Sequence, residues 1–155
     1  MRRRHFVLAG AGIVCLPASA HHGWSSFDQS RPIYLEGKVV KSHWRNPHVE
    51  LDLQVKQDLK LPADLAQRSL PAQSASVDGP ALLAAAKVPT RNERVWHIEL
   101  APLTRMNAWK VDEIKAGDDI ALVGFTFPQE QGEPVLRAEY LFVAGKTYGL
   151  RSSPA

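Results

Sequence analysis

The pattern of apolar and polar positions along the chain predicts a mainly β protein. Residues 48–56 alternate strictly, with Val49, Leu51, Leu53 and Val55 on one face and polar side chains on the other. This period of two is typical of a strand that is buried on one side. Four more segments rich in β-branched and aromatic residues are predicted to be strands: 33–43, with a bulge at Gly37, 95–100, 119–127 and 134–143.

Two connecting segments have other patterns. Residues 104–114 carry apolar side chains at helical spacing, which predicts a helix capped by Thr104. Residues 57–94 are rich in alanine, proline and serine and are interpreted as an insertion that packs on one side, with a short helix over residues 80–87. Five strands with one helix between strands three and four is the order of an OB-like barrel. The predicted divisions are a signal peptide (1–20), a lead-in (21–32), the barrel (33–145) and a tail (146–155).

The first 20 residues have the three parts of a cleavable export signal. Residues 2–4 are arginines, residues 6–16 form an apolar run, and residues 18–20 (Ala-Ser-Ala) match the small-residue cleavage pattern. The apolar run is shorter than the roughly 20 residues that span a bilayer. We therefore expect cleavage after Ala20 and export to the periplasm or the exterior, by the Sec or the twin-arginine route. We expect no membrane span in the mature chain.

Charge and cysteine content narrow the possible functions. The chain has 19 basic and 16 acidic residues, and loss of three arginines with the signal peptide would leave 16 of each. Because binding to nucleic acid requires a basic excess, we expect no nucleic-acid partner. The only cysteine, Cys15, would also be lost, which excludes disulfides and thiolate ligands. Common catalytic motifs are missing, so the chain is predicted to be a binding protein and not an enzyme.

Five short motifs resemble a family of small exported bacterial proteins of unknown function. The motifs are His21-His22-Gly23-Trp24, Leu35-Glu36-Gly37, Trp44-Arg45-Asn46-Pro47-His48, Leu103-Thr104-Arg105-Met106 and Gly124-Phe125-Thr126-Phe127. The double histidine and the Trp-x-Asn-Pro-His turn are the most specific parts. The resemblance implies a periplasmic protein with a barrel of this type, and it brings no established activity.

Five histidines are candidate metal ligands: His21, His22, His43, His48 and His97. Cleavage of the signal would make His21 the first residue, whose α-amine and imidazole can chelate one ion. His43 and His48 flank a four-residue turn and are predicted to lie opposite each other, with Cβ atoms about 4.5–5.5 Å apart. His97 is on the polar face of the third strand. Nitrogen ligands of this kind suit copper or zinc.

Acidic and aromatic residues are predicted to support these histidines. Glu50, Asp52 and Glu99 lie on the polar faces of strands two and three, where they could orient a ligand or provide a third one. Trp24 and Trp44 are close to histidines in the sequence and could shield a site, although core packing is the commoner role of tryptophan.

Two other functions remain open from the sequence. One is a metal-free module that uses the exposed face of strands two and three to bind a small ligand or another protein of the cell envelope. The other is a copper oxygenase, because a terminal histidine chelate can activate oxygen; no substrate-binding pattern in the sequence supports it.

Overall fold

Five strands close into a mixed β-barrel in the computed structural model, which describes residues 23–155. The strands are β1 (Ile33–His43), β2 (Glu50–Val55), β3 (Val95–Glu99), β4 (Asp119–Phe125) and β5 (Val135–Val143). Neighbours in the order β3-β2-β1-β4-β5 are antiparallel, and a parallel pairing of β3 with β5 closes the barrel. The prediction of a mainly β, OB-like barrel is confirmed. The predicted signal peptide, His21 and His22 lie outside the described residues.

The barrel interior follows from the alternation of apolar residues along the strands. Leu51 and Leu53 of β2 and Trp96 and Ile98 of β3 are fully buried in the core. Removing large apolar side chains from water is the main force that stabilises such a barrel. The polar residues between them therefore lie on the outer surface.

The helix between β3 and β4 is shorter than predicted. Helix α2 (Leu103–Ala108) begins after Pro102, so Thr104 lies inside the helix and does not cap it. The helix ends before Lys110, whose φ of 53° is in the left-handed region, and this backbone turn cannot continue a right-handed helix. The prediction of a helix over residues 104–114 was wrong in its start and its end. Within residues 23–155, no helix has the length and apolarity of a membrane span.

The insertion between β2 and β3 packs on one outer side of the barrel. It contains a 3-10 turn (Leu65–Gln67) and helix α1 (Gly79–Ala85), whose first turn is capped by Asp78 accepting a hydrogen bond from the Ala81 amide at 3.1 Å. Apolar residues of the insertion and of β1, β4 and β5 form a second core: Leu65, Leu83 and Ala86 with Tyr34, Val123, Tyr140 and Phe142.

Two local predictions differ from the structure. The bulge in β1 lies between Val39 and Lys41 and not at Gly37. Gly37 is required for another reason, because a Cβ there would lie 2.1 Å from the carbonyl oxygen of Gln54. The tail also contains an unpredicted strand, β6 (Lys146–Gly149), which pairs with β5 and buries Tyr148.

Candidate functional site

Polar side chains from four strands form two rows across the outer surface of the barrel. The backbone register places His43 of β1, Glu50 of β2, Glu99 of β3 and Arg137 of β5 side by side in the first row. The second row contains Lys41, Asp52 and His97. We call these seven residues the histidine face.

A bulge determines that His43 belongs to this face. Before the bulge, even-numbered residues of β1 such as Tyr34 and Glu36 lie outside the barrel, while Leu35 and Val39 are buried in the core. The extra residue, Val40, reverses this alternation. Lys41 and His43 then lie on the same side as their partners on β2.

His97 has the most specific geometry on the histidine face. Its Nδ1 is 3.1 Å from Oδ1 of Asp52, and its Nε2 is 3.9 Å from Oε2 of Glu50. An ionised carboxylate can only accept, so a neutral His97 donates its Nδ1 proton to Asp52 and keeps the lone pair of Nε2. The side chain is 38 % exposed. The arrangement thus presents an oriented nitrogen ligand to solvent beside a carboxylate.

His43 and His48 do not lie opposite each other as predicted. His43 pairs with Glu50, because the connection between β1 and β2 takes up residues 44–49. Val49 exchanges backbone hydrogen bonds with Leu100 and Ala101 at 2.9 and 3.0 Å, so this part of the chain follows β3 and not β1. His48 is therefore half-buried in the turn.

The described residues alone do not form a metal centre. Between residues 23 and 155, no group of three histidine, cysteine or acidic side chains is arranged to hold an ion. The outward nitrogen of His97, Nε2, is 3.9 Å from Glu50 Oε2, and His43 lies beside Glu50 on the neighbouring strand. His21 and His22, which would complete the predicted set, lie outside the described part of the chain.

The predicted supporting residues take different positions. Asp52 orients His97, as expected for a residue behind a ligand. Glu99 is buried and lies 3.4 Å from the guanidinium of Arg137. Trp44 packs against the barrel core. Trp24 lies at the end of the histidine face, in contact with Arg137.

A buried cluster around Trp24 was missed by the sequence reasoning. The guanidinium groups of Arg137 and Arg151 lie 5.0 and 3.7 Å from the centre of the indole ring. Glu99 contacts Arg137, and the fully buried Glu139 accepts hydrogen bonds from Arg151 at 2.7 and 2.8 Å. We call these five residues the Trp24 clamp. Trp24, Glu99 and Arg151 are far from one another in sequence, so no local motif could have indicated the cluster.

Burial changes the ionisation of the clamp. Burial lowers the pKa of Arg137 and is opposed by the charge of Glu99. Burial also raises the pKa of Glu139, and the hydrogen bonds from Arg151 oppose that shift. Each charge inside the clamp therefore depends on its partner for stability.

A cavity of about 840 Å³ lies on the other side of the barrel, between the insertion and the turn that joins β5 to β6. Phe142 and Val143 line it together with charged side chains. The Arg68 guanidinium stacks on the Phe142 ring at 4.8 Å, and Glu36 is paired with Lys56. Among residues 23–155 no histidine lines this cavity, so it is separate from His43, His48 and His97.

Comparison with protein families gives a match over about a third of the chain. Residues 11–62 match the model of a family described as a family of unknown function, DUF6152. The matched segment contains His21, His22, His43 and His48, and it ends before β3 with His97. No curated protein and no solved structure matches the chain significantly. The match agrees with the resemblance to proteins of unknown function and assigns no activity.

Proposed function

We propose that this protein is exported to the periplasm and binds a transition metal ion, copper or zinc, on the histidine face. The observation that carries the proposal is the position of His97. Its Nδ1 is held by Asp52 and its Nε2 is directed toward Glu50, 3.9 Å away. A carboxylate that fixes the far nitrogen of an imidazole is the usual support of a histidine metal ligand.

After a small movement, His97 Nε2 and Glu50 Oε2 would be close enough to bind the same ion. Metal–nitrogen and metal–oxygen bonds of about 2.0–2.2 Å bring two adjacent ligands to about 3.0–3.5 Å from each other. Glu50 is partly exposed, and its side-chain torsions can supply the remaining few tenths of an ångström. His43, beside Glu50 in the register, is the next ligand available on the face.

The remaining ligands in this proposal are His21 and His22. Trp24 lies against Arg137, which is in the same row as Glu99 and Glu50. Cleavage after Ala20 would give His21 a free α-amine beside its imidazole. A site with several nitrogen ligands favours Cu(II) over the other divalent ions of the first transition series.

The proposal is tested on the mature chain, produced with His21 as its native first residue. Calorimetric titration should give a dissociation constant for Cu(II) or Zn(II) of about 1 μM or tighter. The His97→Ala variant should bind at least about tenfold more weakly. Gln54→Ala, an exposed position on the same side of β2, is the matched control and should bind like the wild type. The metal proposal fails if the native-start protein does not bind either ion in this range.

Export is tested separately. Mass spectrometry of the protein recovered from the periplasm should give a first residue of His21. A different first residue would remove the terminal chelate, although His97 and Glu50 would remain.

A second candidate is metal-free binding of a small ligand, in the cavity beside Phe142 and not on the exposed face of β2 and β3. The cavity of about 840 Å³ favours it, because ligand pockets have volumes of about 300–1,000 Å³. A ligand held there should be unaffected by His97→Ala and displaced by Phe142→Ala, which separates this candidate from the metal site.

A further inference from the structure

The floor of the large cavity is the outer surface of four neighbouring strands. The backbone register places four residues side by side on this surface: Glu36 of β1, Ala121 of β4, Phe142 of β5 and Thr147 of β6. Ala121 has the smallest side chain of the four, so the floor is deepest between Glu36 and Phe142. Four strands span three strand spacings, about 14 Å. The cavity is therefore long enough for a small organic molecule that lies across the strands.

The carboxylates that line the cavity already have partners within the protein. Each one is paired with a basic side chain: Glu36 with Lys56, Asp64 with Arg68 and Asp119 with Lys38. Glu36 also accepts a hydrogen bond from the Tyr34 hydroxyl at 2.8 Å. A ligand cation gains less from a carboxylate whose charge is compensated than from a free one. The cavity is thus poorly suited to a cationic ligand.

Arg68 is the lining residue with unused hydrogen-bond donors. Its Nε donates to Oδ2 of Asp64 at 3.1 Å, and its Cζ lies 4.8 Å from the centre of the Phe142 ring. Neither Nη1 nor Nη2 forms a hydrogen bond with any residue between 23 and 155, and the side chain is 24 % exposed. Lys146 adds a further positive charge to the lining. A guanidinium held in this way can receive a carboxylate through two parallel N–H···O bonds.

We propose that this cavity binds an organic acid, whose carboxylate is held by Arg68 and whose apolar part lies over Ala121 and Phe142. The inference rests on the second candidate function, the binding of a small ligand in the cavity, and it is independent of the metal site. Glu36 and Asp64 line the same cavity, so the single charge of a carboxylate meets less repulsion than the two charges of a phosphate. The apolar part of the acid leaves water when it covers the floor.

The first test titrates the isotope-labelled mature chain with four probes and follows the backbone amide signals of Ala121 and Thr147. Octanoate should shift both signals with a dissociation constant of about 1 mM or tighter. Octanamide has the same chain without the charge, and acetate has the charge without the chain. Each of these two should bind at least about tenfold more weakly than octanoate. Inorganic phosphate, the fourth probe, should also bind more weakly.

The second test separates the charge from the shape of the cavity. Arg68→Gln should weaken octanoate binding at least about tenfold and leave octanamide binding unchanged. Arg45→Gln, at an exposed arginine in the β1–β2 connection, is the matched control and should bind octanoate like the wild type. Ala121→Leu fills the floor without changing any charge and should abolish binding of both octanoate and octanamide. It gives a result even if Arg68→Gln does not fold, and thermal unfolding verifies the fold of each variant.

The probes distinguish failure of the ligand class from failure of the cavity as a binding site. Octanamide that binds as tightly as octanoate would overturn the role of Arg68 and leave the cavity as a site for neutral molecules. Phosphate that binds more tightly than octanoate would overturn the apolar part of the ligand. Cavity amides that shift with none of the four probes would overturn the second candidate function as well.

Discussion

The outer surface of the barrel has an apolar half under the insertion and a polar half on β2, β3 and the first part of β5. Tyr34, Val123, Tyr140 and Phe142 are covered by α1 and its neighbouring segments. On the polar half, Asp52 and His97 remain partly exposed, and charged side chains alternate across the strands. The same barrel thus carries one surface that is covered by its own insertion and one on which Lys41, Asp52 and His97 stay at least partly exposed.

The two halves of the outer surface differ in how much their side chains contribute to the stability of the fold. Residues under the insertion replace contact with water by contact with other apolar side chains, so they contribute to folding. The exposed residues of the histidine face gain little from folding, because exposed ion pairs contribute about 0–1 kcal/mol, whereas Glu99 and Arg137 are buried. Three predictions follow from this contrast.

The largest effect is expected under the insertion. Leu83 of α1 is 2 % exposed, and Leu83→Ala should lower the free energy of unfolding by about 2–5 kcal/mol, because it leaves a cavity. Lys41→Ala on the histidine face should change it by no more than about 0.5 kcal/mol. Urea unfolding measures both values. Equal losses in the two variants would mean that the two halves do not differ in this way.

An intermediate effect is expected on the histidine face. Asp52→Ala removes the acceptor of the His97 Nδ1 proton and should weaken Cu(II) or Zn(II) binding by about 10–100-fold. Its free energy of unfolding should change by less than about 1 kcal/mol. Titration calorimetry and urea unfolding of the same sample give the two numbers. Loss of stability with unchanged affinity would assign Asp52 to the fold.

The smallest effect concerns Glu36, at the border of the insertion. Its partial burial would raise its pKa, but hydrogen bonds from Lys56 and Tyr34 hold the pKa below the ordinary 4.5. A carboxyl with a lowered folded-state pKa stabilises the protein above pH 4.5, and this stabilisation is lost as the pH falls through the folded-state pKa. The difference in unfolding free energy between wild type and Glu36→Gln should therefore shrink between about pH 6 and pH 3. Glu113→Gln, at an exposed position, is the control. A difference in unfolding free energy that grows as the pH falls would contradict the prediction.

Much of the fold could be predicted, because strands leave a direct pattern in the sequence. The bounds of β1 agree with its prediction, and β2 and β3 begin and end within two residues of theirs. The prediction of a long helix over residues 104–114 was wrong, because the spacing of apolar residues does not reveal the left-handed backbone at Lys110 that ends the helix. Strand β6 was missed because Tyr148 and Leu150 are the only large apolar residues of the tail, too few to show a period of two.

The candidate site could be predicted only in part. The alternation of apolar and polar residues was enough to place Asp52, His97 and Glu50 on one face, because this pattern can be read from the local sequence alone. The pairing of His43 with Glu50 depends on the length of the β1–β2 connection, which local patterns do not fix. The contact of Trp24 with Arg137 and Arg151 joins residues more than 110 positions apart, and it is formed only when the barrel closes.

The extra residue at Val40 has a consequence for how such a surface can change over generations. Deleting that single residue would place Lys41 directly after Val39, opposite Asp52, and would leave His43 opposite Glu50 on the outer surface. A family of barrels could therefore lose the bulge without losing the histidine. Length changes at position 40 in related chains would be expected to occur independently of the presence of the histidine.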